Sequence, residues 1–150
     1  MRFLVLFCAL MAWSAKADAA VIDNNFRLNE VGNVIVHLAD EATGACWTNL
    51  KEVREYAEEK LRMKGVKVTE KDTFTSKTYI LEIAVSAMRY LADGSGGCVG
   101  YIRVHLSTYA RVHDIFHNAI AAANGATIVN PQNFNRYTIE AVSDLISELK

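Results

Sequence analysis

The sequence predicts a two-layer α+β domain, with two helices on one face of an antiparallel sheet of three or four strands, in the order β-α-β-β-(β)-α. Three observations carry that expectation. Apolar residues recur at three- and four-residue steps from Trp47 to Leu61. Segments 78–90 and 99–112 alternate apolar and polar residues on either side of a glycine-rich turn. A second helical stripe, Ile139, Val142, Leu145, Ile146 and Leu149, ends the chain.

The first residues stand apart from that domain. They read MRFLVLFCALMAWSAKA, with Arg2 ahead of an apolar run from Phe3 to Trp13 and Ala15-Lys16-Ala17 after it. A basic start, a short apolar run and a small-x-small site make a secretory signal peptide, residues 1–17, cut after Ala17 or Ala19. The run is too short for a hydrocarbon core that needs about 20 apolar residues. Cys8 lies inside the run, which is the wrong place for a lipid-modified cysteine. Residues 18–30 read as a loose arm, and 31–150 as one domain. Cleavage removes Arg2 and Lys16, which moves the formal charge from −1 to −3. With no basic excess to neutralise phosphates, nucleic acid is not an expected partner. No later segment has the length or apolarity to span a membrane.

Within the domain, Val31 to Ala39 reads as a strand with Val34, Val36 and Leu38 on one side and Ile35 and His37 on the other. The next segment, DEATGACWTNLKEVREYAEEKLRMKG, places Trp47, Leu50, Val53, Ala57 and Leu61 on one helical face. Glu52, Glu55, Glu58, Glu59, Lys60 and Arg62 form the solvated side, acids leading and bases following as the helix dipole prefers. Cys46 stands at its start and Gly65 ends it. Val66 to Val68 reads as a short extended stretch, and Lys71 to Lys77 as a polar loop.

Thr78 to Tyr90 is a long strand with Tyr79, Leu81, Ile83, Val85 and Ala87 inward and Glu82, Ser86 and Tyr90 opposite. DGSGG at 93–97 is the clearest turn. A phosphate loop would need a helix straight after it, and a strand follows. That strand, 99–112, turns Ile102, Val104, Leu106, Thr108, Ala110 and Val112 inward. Tyr101, Arg103, His105, Ser107, Tyr109 and Arg111 face outward.

Two patterns compete in residues 112–124. Val112, Ile115, Phe116, Ala119, Ile120 and Ala123 fit a helix stopped by Asn124-Gly125. A third meander strand fits as well, with Asp114 at the corner and Asn124-Gly125 as a tight turn. A short antiparallel connection favours the strand. Asn130-Pro131 then breaks the pattern, and Thr138 to Leu149 forms the last helix. This element order resembles the small periplasmic domains of envelope accessory proteins, in order alone.

Cys46 and Cys98 are the cysteines that outlast cleavage. In an oxidising compartment such a pair becomes a disulfide. Closing a loop of that size restricts the unfolded chain by roughly 4 kcal/mol.

Candidate sites are few. His113 and His117 stand four apart, in RVHDIFHN, and are the metal-ligand candidates. On a helix they would share a face, but zinc proteases carry His-Glu-x-x-His and here an aspartate follows the first histidine. On a strand the pair would stand about 13 Å apart, too far for one ion. Ordinary surface histidines are the favoured reading, with no cofactor expected. The outer face of the sheet is the stronger candidate. Tyr101, Arg103, His105, Tyr109, Glu82 and Tyr90, with His37 beside them, would form an open surface of residue types enriched at recognition sites. No Gly-x-Ser-x-Gly elbow occurs, and the remaining acids are scattered.

The expected function is therefore that of a small exported, non-catalytic binding or envelope-accessory module with a protein or envelope component as partner. A metal-dependent hydrolase using His105, His113 and His117 is one alternative. A disulfide-stapled secreted effector or inhibitor is the other.

Overall fold

In the computed structural model, residues 28, 31–70, 77–91, 94, 96–112 and 115–149 are described. The predicted signal peptide, all of the predicted arm except Leu28, most of the 71–77 loop, and His113 and Asp114 lie outside them.

The chain forms β1 (Asn33–Asp40), α1 (Leu50–Met63), β2 (Thr78–Arg89), β3 (Cys98–Val112), β4 (Ile115–Val129) and α2 (Asn135–Glu148). This is the predicted order with its optional strand present. The four strands make one sheet in the order β1-β2-β3-β4. β2, β3 and β4 form the expected antiparallel meander. β1, however, runs parallel to β2, so the sheet is mixed and not wholly antiparallel. The reason lies in the connection: a helix between two neighbouring strands returns the chain to its starting end.

The inner face is the one the alternation marks. Val34 and Val36 of β1 align with Tyr79 and Leu81 of β2, and Leu81, Ile83 and Val85 align with Leu106, Val104 and Ile102 of β3. Against these pack Val53, Ala57 and Leu61 of α1 and Val142, Leu145 and Ile146 of α2, all buried. Two helical stripes on one sheet face thus make a single apolar core.

Helix boundaries depart from the apolar spacing. α1 begins at Leu50, not near Cys46, although Trp47 is buried in the core. Gly44 and Ala45 both adopt positive φ, 61° and 56°, and redirect the chain. The peptide groups that follow bond to the start of α2: Phe134 N–H donates to Cys46 O at 2.6 Å, and Thr48 N–H to Asn135 Oδ1 at 3.0 Å. At the other end, Gly65 (φ 81°) donates to Arg62 O and Val66 to Leu61 O, the paired bonds of a Schellman stop. α2 starts at Asn135, three residues ahead of the first residue of its predicted span.

Residues 115–129 are strand, and the helical alternative for 112–124 is excluded. The predicted turn at Asn124-Gly125 is also absent: both residues lie inside β4, opposite Val104 and Arg103. A β-bulge explains the misleading pattern. Leu106 pairs with Ala122 but Ser107 with Ile120, so Ala121 is an extra residue. One extra residue switches which side chains face inward and breaks the alternation in mid-strand.

Cys46 and Cys98 form a disulfide, with sulfurs 2.05 Å apart and Cα atoms 5.8 Å apart. Both cysteines are fully buried. Replacing Cys46 with Ser is expected to lower Tm in oxidising buffer by about 15 °C, from the loop entropy and the usual scaling of Tm with stability. Calorimetry of the two forms, with thiol titration of the parent showing no free thiol, checks this. Gly100→Ala is expected to abolish folding or to cost about 3 kcal/mol or more, because an added Cβ would stand 2.1 Å from Ser86 O and 2.6 Å from Ala87 Cα. Those neighbours are backbone and cannot step aside, and urea unfolding of the variant measures the loss.

Candidate functional site

Because α1 and α2 both pack on the inner face, the outer face carries the side chains of opposite parity. Register places His37 opposite Glu82, Glu82 opposite His105, Ala84 opposite Arg103 and Ser86 opposite Tyr101. Glu82 is therefore the centre of a charged cluster. Its Oε1 accepts a hydrogen bond from Arg103 Nη2 at 3.1 Å. His105 Nδ1 lies 3.9 Å from the same oxygen, beyond hydrogen-bond range.

His105 is not the open surface residue its parity suggests. It is only 6% exposed, and its Nδ1 has no hydrogen-bond partner among the described residues. Ile35, Ala84 and Ser107 of the same face are buried as well. Neighbouring side chains on a sheet stand about 5 Å apart and shield one another, so small and medium residues sink between long ones. Burial holds the His105 pKa below the ordinary histidine value; the Glu82 carboxylate opposes that shift, and the Arg103 guanidinium adds to it. A neutral imidazole with a covered nitrogen cannot reach a substrate on the surface as it stands.

The other predicted site residues divide. Tyr101, Arg103 and Tyr109 are exposed, as an open face requires. Tyr90 lies one residue past the end of β2, where its N–H donates to Gly97 O, and it belongs to the hairpin end. His117 is exposed on β4. His113, its predicted metal partner, lies outside the described residues. Among the described residues, no group of three or more His, Cys, Asp or Glu side chains converges as a metal site, and no helix is long and apolar enough to cross a membrane.

A feature that sequence reasoning missed joins this face to the edge of the sheet. A groove of 970 Å³ wraps the free edge of β1. Ile35, Ile80 and Val68 supply apolar lining; Arg54, Glu58 and Arg62 line it from α1, and His37, Glu82 and Tyr109 from the sheet. Tyr109, Glu82 and His37 are thus the residues of the predicted outer face that the groove brings together. The three α1 residues are spaced four apart, one row round from the buried stripe, and that spacing was the available signal. The β1 edge is only partly satisfied. Val34 donates to Lys67 O and accepts from Thr69 N–H, which forms a single bridge with Val68. Arg54 Nη1 then donates to Val36 O at 2.8 Å. Beyond it, the outward peptide groups of Leu38 have no partner among the described residues.

No protein-family model and no curated protein matches the chain. Among solved structures it is similar to a single-residue variant of the PelC dodecamer from Paraburkholderia phytofirmans, at 15% identity over 80% of this chain and 86% of that one, with a TM-score of 0.37. A likeness that slight says nothing about function.

The His105 environment has a measurable consequence. The unfolded chain protonates this histidine near pH 6.5, and the folded chain only at lower pH. Between those two points the unfolded state binds more protons, so stability is full above the unfolded value and falls as pH drops through it. Wild-type Tm is expected to decline as pH falls below about 6.5, and His105→Leu to flatten that decline. Parallel Tm profiles for the two proteins would contradict the assigned environment.

Proposed function

We propose that the chain is a small exported, non-catalytic binding module that takes an extended segment of an envelope or secreted protein along the free edge of β1. One observation carries this reading: a 970 Å³ groove lies along a strand edge whose backbone is unsatisfied past Val36 among the described residues. Strand addition uses such edges. Main-chain hydrogen bonds supply affinity, and alternate side chains of the incoming segment enter adjacent pockets. Here one set of side chains would meet Ile35 and Ile80, and the other would meet Arg54 and Arg62 of α1.

The groove suits a peptide better than a compact metabolite. Four consecutive residues of β1, Ile35 to Leu38, line it, and its charged side chains come from both α1 and the sheet. Export is supported by the leader-like first residues and by the Cys46–Cys98 disulfide, which an oxidising compartment maintains.

The test is a selection of linear peptides on the mature protein, followed by amide chemical-shift mapping. Bound peptides are expected to shift the amides of Val36, Leu38 and Asp40. Tyr109→Ala and Arg54→Ala are each expected to weaken binding roughly tenfold, the loss of about 1.4 kcal/mol, with folding intact by circular dichroism. Peptides that bind without moving those amides, or that bind both variants as tightly as wild type, would overturn the reading.

A further inference from the structure

The sheet has a second free edge, and it is built differently. β4 is an outermost strand of 15 residues, IFHNAIAAANGATIV. It contains no Lys, Arg, Asp, Glu or Pro, and His117 is its one ionisable side chain. Strand edges in stable proteins are normally blunted by charge, by proline, by shortness or by a bulge. β4 has the bulge alone, at Ala121.

The bulge divides β4 into two regularly paired stretches, 115–120 and 122–129, and the bonding pattern of the second is fixed by β3. Cys98 donates to Pro131 O and accepts from Asn130 N–H, so its peptide groups face β4. By alternation Gly100, Ile102 and Val104 do the same, toward Ile128, Ala126 and Asn124. Ala123, Gly125, Thr127 and Val129 therefore turn their N–H and C=O groups to the free edge. Their side chains are small or short. Ala123, Gly125, Ala126 and Thr127 are exposed, and Val129 is 69% exposed. β4 is the last strand of the sheet order, so this edge has no strand partner among the described residues.

We infer that the 122–129 edge of β4 pairs antiparallel with the same edge of a second copy of the chain, joining two four-stranded sheets into one. The absence of charge argues for that occupant. A two-fold axis brings identical residues together, so a charged strand meets its own charge across the dyad. An uncharged stretch meets no such penalty, and residues 122–129, which are only Ala, Asn, Gly, Thr, Ile and Val, offer a foreign partner no charge to recognise. Self-pairing also covers Val129 and satisfies the outward-facing residues of each copy at once.

Sedimentation of the mature protein, with amide hydrogen exchange followed by NMR, tests this independently of peptide binding at β1. A species of twice the monomer mass is expected at high micromolar concentration. The Gly125 and Thr127 amides should gain protection as concentration rises, while those of Asn124 and Ala126, bonded within the sheet, stay protected throughout. Thr127→Pro removes one outward N–H without touching a bond to β3, and is expected to give a folded monomer. Should that variant fail to fold, the double variant Ala123→Lys with Thr127→Lys serves instead, by placing like charges across the dyad. A monomer at all concentrations would overturn the inference. So would a dimer that persists undiminished in the folded variant, or one in which the Gly125 and Thr127 amides exchange freely.

Discussion

At one end of the sheet three stretches of backbone converge on a covalent bond: the loop entering α1, the first residue of β3, and the connection from β4 to α2. Cys46 is bonded to Cys98, and its carbonyl also receives the Phe134 N–H at the threshold of α2. Cys98 exchanges backbone hydrogen bonds with Asn130 and Pro131. Phe134 is itself fully buried and is the largest such side chain among the described residues. Helices in a two-layer domain are ordinarily held to their sheet by side-chain packing, which leaves them free to slide by small amounts. Here the origins of both helices are fixed by bonds, and packing has only to orient the remaining turns. The same constraint accounts for the late start of α1, because the Cys46 carbonyl and the Thr48 N–H are committed to the start of the neighbouring helix before they can enter their own.

The sequence was most legible where burial is one-sided and uninterrupted. The inward residues of β2 and β3 stand in the predicted parity from Tyr79 to Ala87 and from Ile102 to Leu106, since a strand with one wet face must alternate. Legibility failed wherever a structural device broke the period. The bulge at Ala121 shifted the inward set of β4 by one, and the resulting three-residue step mimicked a helix. Gly125 looked like half of a hairpin turn, whereas its backbone approaches β3 so closely that a Cβ would stand 2.8 Å from Ile102 O. Parallel pairing of β1 was implicit in the β-α-β order but is not written in the residues of either strand.

The outer face was legible in membership but not in depth. Tyr101, Arg103, His105 and Tyr109 share the side their spacing assigns, yet His105 is sunk beside the ion pair formed by Glu82 and Arg103. Depth on a sheet depends on the length of cross-strand neighbours, which are distant in sequence. The groove is less legible still. Its walls come from a flank of α1, from the bridge at Val68 and from the strands, and no window of sequence contains them together.

The two edges of the sheet follow opposite rules, and together they suggest a division of labour. β1 is short, its edge is partly occupied by residues 67–69 and by Arg54, and the space beside it is lined by side chains of both charges. An edge of that kind discriminates, because an incoming segment must fit pockets as well as bond to the backbone. β4 is long and carries no ionisable residue but His117, so its edge offers hydrogen bonds with little sequence information. Specificity at such an edge has to come from length and from the position of the bulge, and an identical strand is matched in both. Pairing at β4 would leave the two β1 edges at opposite ends of an eight-stranded sheet, seven strand spacings or about 34 Å apart along a flat sheet. A partner carrying two recognised segments at least that far apart could engage both grooves at once. The second contact would then form at the raised effective concentration of a tethered ligand, so modest affinity at each β1 groove would suffice for a stable complex.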